Sequence, residues 1–334
     1  MPQPAADVTV IIPTLNGELY LARIFDAIAR QRFAGEIEVL VIDSGSTDAT
    51  LDIVRSRPEI RLHEIPNSEF GHGKTRNLAA RLASGRLLVF LTQDAVPASE
   101  EWLTAITTPL DPLEADAVAV MGRQRPRADC FPLQKYEIEA VFARFAPDDR
   151  DVVYQLRDTT PTPAELDVLA FYSDVNSATR RDFLLDVIPL QDLRYSEDMA
   201  FGRDVIVAGY RKVYSPRAVV EHSNDLTLRE YGKRIFDETL ALRRLGEGGQ
   251  VYGVGSRVLR FGYGVLADSR RIIRDPDYSI GRRIYWLAVN PLYHLAKWRN
   301  YRWASAVSLD DRRTIESHSL EVEKVRKAKD SGRI

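Results

Sequence analysis

Four short, largely apolar runs, Val8–Ile12, Ile37–Ile42, Leu87–Leu91 and Ala117–Met121, and a mixed one, Arg61–Ile65, punctuate the start of the chain, each closed by turn-forming residues. Between them, Leu19–Arg30, Ala49–Arg55, Lys74–Ala83 and Glu100–Thr107 repeat apolar residues at helical spacing. This alternation predicts βαβ units. The strands are apolar on both faces, which predicts a parallel sheet covered on both sides, with ligands bound beyond the carboxyl ends of the strands. Those ends carry polar residues: Pro13-Thr14-Leu15-Asn16, Asp43-Ser44-Gly45-Ser46-Thr47-Asp48 and Thr92-Gln93-Asp94.

From Gln124 to about Ala170 the alternation gives way to Arg125-Pro126-Arg127, Ala146-Pro147-Asp148-Asp149 and Thr159-Thr160-Pro161-Thr162-Pro163, around one helix predicted at Leu133–Phe145. Such a stretch suits a variable acceptor wall or lid. Order is expected to return at Tyr172–Ser177. Helices follow at Arg180–Asp186 and Glu197–Ala208, strands at Arg211–Tyr214 and Ala218–Val220, and a helix at Leu228–Leu245. Gly246-Glu247-Gly248-Gly249 reads as a hinge between a domain over residues 1–245 and a tail over residues 250–334.

The 334 residues carry a formal charge of −2, which gives no general attraction to nucleic acid, so an anionic partner must be met by a local patch. Residues 251–304 supply one: ten Arg and Lys stand there against three Asp, with three of the four Trp. Basic residues interleaved with Trp286, Trp298 and Trp303 suit an anionic membrane surface, such as the cytoplasmic face of an inner membrane. The same rings suit packing on the main domain or on a second subunit in a homo-oligomer, and RNA is a third alternative. The single cysteine, Cys130, excludes an internal disulfide and fits a reducing compartment. The first residues lack a secretory pattern, and the best apolar run, Ile284–Val289, stops at Asn290-Pro291, well short of the ~18 residues of a membrane span. The expectation is a cytoplasmic protein.

Candidate chemistry centres on Glu69-Phe70-Gly71-His72-Gly73-Lys74-Thr75-Arg76-Asn77, immediately before a helical run from Leu78. Glycines permit close backbone approach to a phosphate, the helix start offers N–H groups, and Arg76 adds a two-pronged clamp. A phosphate-bearing ligand is expected. The ATP-binding P-loop does not fit Gly73-Lys74-Thr75, because Ser68 replaces its first glycine. The hydride-transfer fingerprint fails too, since Pro13-Thr14-Leu15-Asn16 stands where its glycines belong. Asp43 either meets a ribose or base edge or simply belongs to a turn that caps the next helix.

Four motifs in order resemble the inverting GT-A glycosyltransferases of family 2 over residues 7–240: Val8-Thr9-Val10-Ile11-Ile12-Pro13-Thr14-Leu15-Asn16, Val41-Ile42-Asp43-Ser44-Gly45-Ser46-Thr47-Asp48, Gln93-Asp94-Ala95 and Ser196-Glu197-Asp198-Met199. Within that family, Phe70–Asn77 with Thr92-Gln93-Asp94-Ala95 is similar to bacterial rhamnosyltransferases that use dTDP-L-rhamnose. The resemblance implies an α/β fold of the GT-A nucleotide-diphospho-sugar transferase type, Rossmann-like, with a mostly parallel sheet and a C-terminal helical extension. Its nucleotide-sugar half would cover residues 7–123 and its acceptor half residues 124–245. The implied reaction moves L-rhamnose, with inversion, to a hydroxyl of a growing cell-surface glycan or lipid-linked oligosaccharide. A UDP-hexose donor, or a non-catalytic partner of another glycosyltransferase, are the alternatives.

The resemblance also implies roles. Pro13, Thr14, Asn16 and Asp43 would hold the nucleoside, with Asp43 reaching the pyrimidine, and Leu15 and Ser44 would join the donor-binding set. Gly71, His72, Arg76 and Gln93 would surround the donor, Arg76 touching the diphosphate or framing its pocket. Asp94 and His222 would hold a divalent cation, Mg2+ or Mn2+. A hard cation that keeps several waters can work with so few protein ligands plus substrate phosphates, although Gln93 and Ala95 leave the acidic motif with one carboxylate. Asp198, beside Glu197, is the candidate general base, because direct displacement needs a carboxylate to take the acceptor's proton. Ser196 is expected to cap their helix, and first-turn acids also stabilise a helix without catalysis. Asp174 and Asn176 are candidate acceptor contacts. Asp174 stands where such rhamnosyltransferases often have Asn, and Asn224 where a second His often follows Ser223.

Overall fold

The computed structural model describes residues 6–146, 148–157, 160–193, 196–224, 226–244, 252–320, 322, 323 and 326. They form two compact units, Met1–Arg125 with Glu139–His222, and Pro126–Ile138 with Ser223–Ile334. The chain runs β1 (Ala6–Thr14), α1 (Glu18–Ala29), β2 (Ile37–Asp43), α2 (Thr50–Arg55), β3 (Ile60–Glu64), α3 (His72–Leu82), β4 (Gly85–Leu91), β5 (Val96–Pro97) and α4 (Trp102–Thr107). It continues through β6 (Ala119–Arg125), α5 (Pro132–Ala143), β7 (Val152–Tyr154), α6 (Pro163–Ala170), β8 (Asn176–Arg180), α7 (Arg181–Asp186), α8 (Glu197–Val207) and β9 (Lys212–Glu221). Beyond β9 the described residues include α9 (Leu228–Arg244), α10 (Val254–Arg274), α11 (Ile280–Ala306) and α12 (Arg312–His318).

The first unit is built on one sheet in the order β3-β2-β1-β4-β8-β6-β9-β5, with β7 also on β9. Strands β3, β2, β1 and β4 are all parallel, as crossovers through amphipathic helices require. Strand β8 enters antiparallel between β4 and β6, and β6 and β9 are again parallel to each other. The apolar strands close a core with α1 through Leu21, Ile24 and Phe25, and with α4 through Trp102, Leu103 and Ile106. Every polar segment named above therefore leaves the sheet at a strand end.

Two strand boundaries differ from expectation. Strand β6 runs past Met121 to Arg125, and the two runs expected at Arg211–Tyr214 and Ala218–Val220 are one strand, β9. Their register shifts between Gly122 and Arg123, so residues 216–218 of β9 have no partner on β6. Pro216 lies in this bulge, where the ladder needs no N–H from it. Gly122 is required beside it, because a Cβ there would come within 2.2 Å of the Asn176 amide nitrogen and 2.4 Å of the Ala218 carbonyl oxygen.

The second unit holds α9 to α12 and the start of α5. Phe131, Tyr136, Tyr231, Ile272, Tyr278, Trp286 and Tyr293 form one core and Phe236, Leu240, Ala304 and Ile315 another. Lys135 is buried between Asp275 (2.8 Å) and Asp277 (2.7 Å), and Tyr136 donates to Asp275 at 3.0 Å. Tyr231 of α9 packs on Tyr293 of α11. The expected hinge, Gly246–Gly249, lies outside the described residues. No helix among the described residues is long and apolar enough to cross a membrane.

Candidate active site

The loops after β1, β2 and β4 are tied into one surface by their own polar side chains. Asp43 is buried and accepts from Thr14 Oγ1 (3.0 Å), Ser46 Oγ, and the backbone N–H groups of Gly45 and Ser46 (both 2.9 Å). Ser44 donates to the Thr14 carbonyl, Asn16 N–H to Ser46 Oγ, and Thr47 N–H to Asn16 Oδ1, each at 2.9 Å. The Asp43 carboxylate, expected to reach a base, holds the turn through these bonds. Leu15 and Asn16 are the exposed residues of the β1 loop, with Pro13 partly exposed and Thr14 and Ser44 buried beneath them. Asn16 takes a left-handed backbone, φ 54°, which Asn tolerates better than most residues. Gln93 locks the tip, accepting from Leu15 N–H at 2.7 Å and donating to Leu15 C=O at 3.0 Å.

The segment Gly71–Asn77 is the first half of α3, with Gly71 preceding the helix and His72 opening it. Gly73 has a different reason from the one expected of it. A Cβ at Gly73 would lie 2.1 Å from the Gln191 carbonyl oxygen, so the glycine lets α3 pack against the chain at 190–191 rather than approach a phosphate. Asn77 fixes the same contact, donating to Leu190 C=O at 2.7 Å and accepting from Leu190 N–H at 3.2 Å.

Arg76, expected to touch a diphosphate or frame the donor pocket, is buried and directed at carboxylates. Its Nη1 donates to Glu197 Oε1 at 2.9 Å, its Nε lies 3.4 Å from Asp174 Oδ2, and His72 Nδ1 is 3.9 Å from the same Glu197 oxygen. Asp174 accepts from Ser177 Oγ at 2.7 Å. Asp198 joins this group: its Oδ2 accepts from Asp174 N–H at 3.3 Å and its Oδ1 from Met199 N–H at 2.8 Å. Desolvation, then the negative charges of Glu197 and Asp174, push the Asp198 carboxyl up to about 7, against the opposing pull of Arg76. A carboxyl poised there can take a proton near neutral pH. Ser196 does not cap α8 with its side chain; it is held in the left-handed region at φ 65°, and the chain turns sharply into Glu197.

Asp94 and His222 meet from opposite ends of the site, with Asp94 Oδ2 3.5 Å from His222 Nε2. Gln124 donates through Nε2 to Ser173 Oγ at 3.1 Å, which leaves its Oε1 facing His222 Nδ1 at 3.0 Å. A neutral imidazole that donates from Nδ1 to this oxygen presents its Nε2 toward Asp94. A carboxylate oxygen and an imine nitrogen at this spacing suit one hard divalent ion, whose adjacent ligands stand about 3 Å apart. The donor set fits Mg2+ or Mn2+, although the described residues contain no cluster of three or more metal-binding side chains.

Asn176 is not placed to meet an acceptor. It is buried, its Oδ1 accepts from the Trp102 indole N–H at 2.9 Å, and its Nδ2 donates to Ala218 C=O at 2.7 Å. Gln124 and Ser177 are site residues that sequence reasoning passed over. The alternation of β6 extended through Gln124 was the available signal; Ser177 offered none beyond its neighbour Asp174.

The chain is 34% identical over 237 residues to the O-antigen chain rhamnosyltransferase RfbN of Salmonella typhimurium, covering 69% of this chain and 70% of that one. The O-antigen chain rhamnosyltransferase WbaN of Salmonella anatum is 32% identical over 233 residues, with the same 69% and 70% coverage. In fold the chain is similar to glucosyl-3-phosphoglycerate synthase from Mycobacterium tuberculosis, solved with Mn2+, UDP and phosphoglyceric acid: TM-score 0.51, 19% identity, 75% of this chain and 82% of that one. The family model described as Glycosyl transferase family 2 matches residues 9–188. With that span and those relatives, the protein is a glycosyltransferase of GT-A fold, and the chain belongs to glycosyl transferase family 2.

Proposed function

We propose that this glycosyltransferase moves L-rhamnose from dTDP-L-rhamnose to a hydroxyl of a growing cell-surface glycan or lipid-linked oligosaccharide, in the cytoplasm, with inversion at the anomeric carbon. The observation that carries the mechanism is the placing of Asp198 beside Glu197 and Asp174, held by two backbone N–H groups, where desolvation and then those two charges raise its carboxyl to about 7. Asp198 takes the proton of the acceptor hydroxyl as its oxygen attacks the anomeric carbon. The bond from that carbon to the diphosphate breaks with its electron pair, and dTDP leaves. One carboxylate suffices for this single displacement, so inversion follows from the reading. Arg76, paired with Glu197 and Asp174, positions the acids around Asp198 and frames the donor pocket.

Asp94 and His222 are the residues that would hold a Mg2+ or Mn2+ ion, which when bound neutralises charge on the departing diphosphate. The rhamnose donor is supported by the two O-antigen rhamnosyltransferases that match most of the chain. Purified protein should release dTDP from dTDP-L-rhamnose faster than UDP from UDP-glucose, and NMR of the transferred sugar should report the anomeric configuration opposite to that of the donor. Preference for the UDP sugar would overturn the donor assignment, and retained configuration the mechanism.

A further inference from the structure

The second unit carries a surface that its own packing leaves open. On α10, Val254, Val258, Leu259, Tyr263, Leu266 and Ile273 are exposed, with Leu259 at 75% and Tyr263 at 77%. On α11, Ile280, Ile284, Tyr285, Leu292 and Leu295 are exposed in the same way. Each set falls on one side of its helix when residues are placed about 100° apart. The two helices are joined by the short segment at 275–279 and touch through Asp268 and His294 (2.8 Å) and through Asn290 and Val265 (3.2 Å). The α11 stripe is centred roughly 130° and the α10 stripe roughly 110° from those contact residues in the same rotational sense, with Val254 and Val258 nearest the contact side, so in a helix pair that reverses direction the stripes open toward one side.

The exposed charge on these two helices is of one sign. Arg260, Arg270, Arg274, Arg299 and Arg302 are exposed on these two helices. All three Asp of residues 252–304 are engaged: Asp268 with His294, and Asp275 and Asp277 with Lys135. A second copy of the chain is the poorer occupant, because a two-fold contact would set the same arginines against one another with no acid between them. An anionic phospholipid surface meets both features, taking the aliphatic stripes into the headgroup boundary while its phosphates face the arginines.

We propose that the α10–α11 face docks this protein on an anionic bilayer surface without spanning it. This stands apart from the donor and acceptor assignments. The test is flotation of the full chain with phosphatidylcholine vesicles and with vesicles containing about 30% phosphatidylglycerol. The parent should float with the anionic vesicles only, and salt at about 0.5 M should weaken binding roughly tenfold. Leu259→Glu with Ile284→Glu should lower binding at least about tenfold, while thermal melting and nucleotide-sugar hydrolysis stay parental because both side chains are exposed. Arg270→Glu with Arg274→Glu provides an independent variant, also expected to release the protein. Failure of the parent to bind, or unchanged binding in both variants, overturns the proposal. So does a parental dimer in light scattering that the Leu259/Ile284 variant dissolves, which would give the face to a second copy.

Discussion

The side-chain amide of Gln93 forms a two-point clamp on the backbone of Leu15, accepting from its N–H at 2.7 Å and donating to its carbonyl at 3.0 Å. A carboxylate at position 93 can accept the first bond but cannot donate the second, so the glutamine that thins the acidic motif also holds the tip of the β1 loop. Gln93→Ala should therefore loosen Leu15 and Asn16. At about 1 kcal/mol for each lost hydrogen bond, donor affinity should fall roughly 5- to 30-fold, with melting temperature little changed because the clamp is solvent-exposed. Calorimetric titration with dTDP checks this; parental affinity would remove Gln93 from the donor site.

The Asp94–His222 pair makes a separate prediction. Excess EDTA should abolish transfer, and added Mn2+ should restore it. Gln124→Leu should raise the Mn2+ concentration needed for half-maximal activity by about 10- to 100-fold, the range typical of losing a partner that orients a ligand. Full turnover in EDTA would show that Asp94 and His222 serve another purpose.

The carboxylate cluster predicts the pH dependence. Asp198 must be ionised to accept a proton, so kcat/KM should rise with pH through an apparent pKa near 7 and level off above it. Glu197→Gln removes the nearest negative charge that raises Asp198, so the acid limb should move to lower pH. A pH–rate profile measured for parent and variant tests both statements; an unmoved limb would separate Glu197 from the titration.

Lys212 gives a stability prediction. It is fully buried on β9, donates to the Phe171 carbonyl and lies over Tyr154 at 5.4 Å, and burial pulls its pKa down from 10.5 to about 7. Between those values the unfolded chain binds the proton more tightly than the folded one. The cost to stability is thus greatest below pH 7 and fades as pH rises toward 10.5. In Lys212→Met that component vanishes, so the gap in melting temperature between variant and parent should shift in the parent's favour from pH 7 to pH 9. A constant gap would mean that Lys212 stays charged in the fold.

The parallel half of the sheet was legible because a strand buried on both faces announces itself as an apolar run, and the turns after β1 and β2 because Asn, Asp, Ser and Gly have few other uses in such strings. The antiparallel entry of β8 was not legible: Asn176-Ser177-Ala178-Thr179-Arg180 is polar, and its burial depends on Trp102 and the β9 bulge, both distant in sequence. Asp94, His222, Glu197 and Asp198 stood out as residue types at strand and helix ends. Their partners did not, since Arg76 meets Glu197 across 121 positions and His222 meets Gln124 across 98. Arg76 illustrates the reason. An arginine beside glycines at a helix start suggests a phosphate, and only the fold reveals that two carboxylates reach it first.

The central claim is that Asp198 accepts the proton of the acceptor hydroxyl, and the most direct measurement compares Asp198→Asn with the parent for donor affinity and for single-turnover transfer. The amide keeps the shape and can still accept one of the two backbone N–H bonds from Asp174 and Met199, but it cannot take a proton. Transfer should fall by about 10²–10⁴-fold while dTDP-L-rhamnose affinity stays within about twofold, because the lost interaction belongs to the transition state. Near-parental transfer by a folded Asp198→Asn protein would contradict the account and move the search for the base to Glu197 or Asp174.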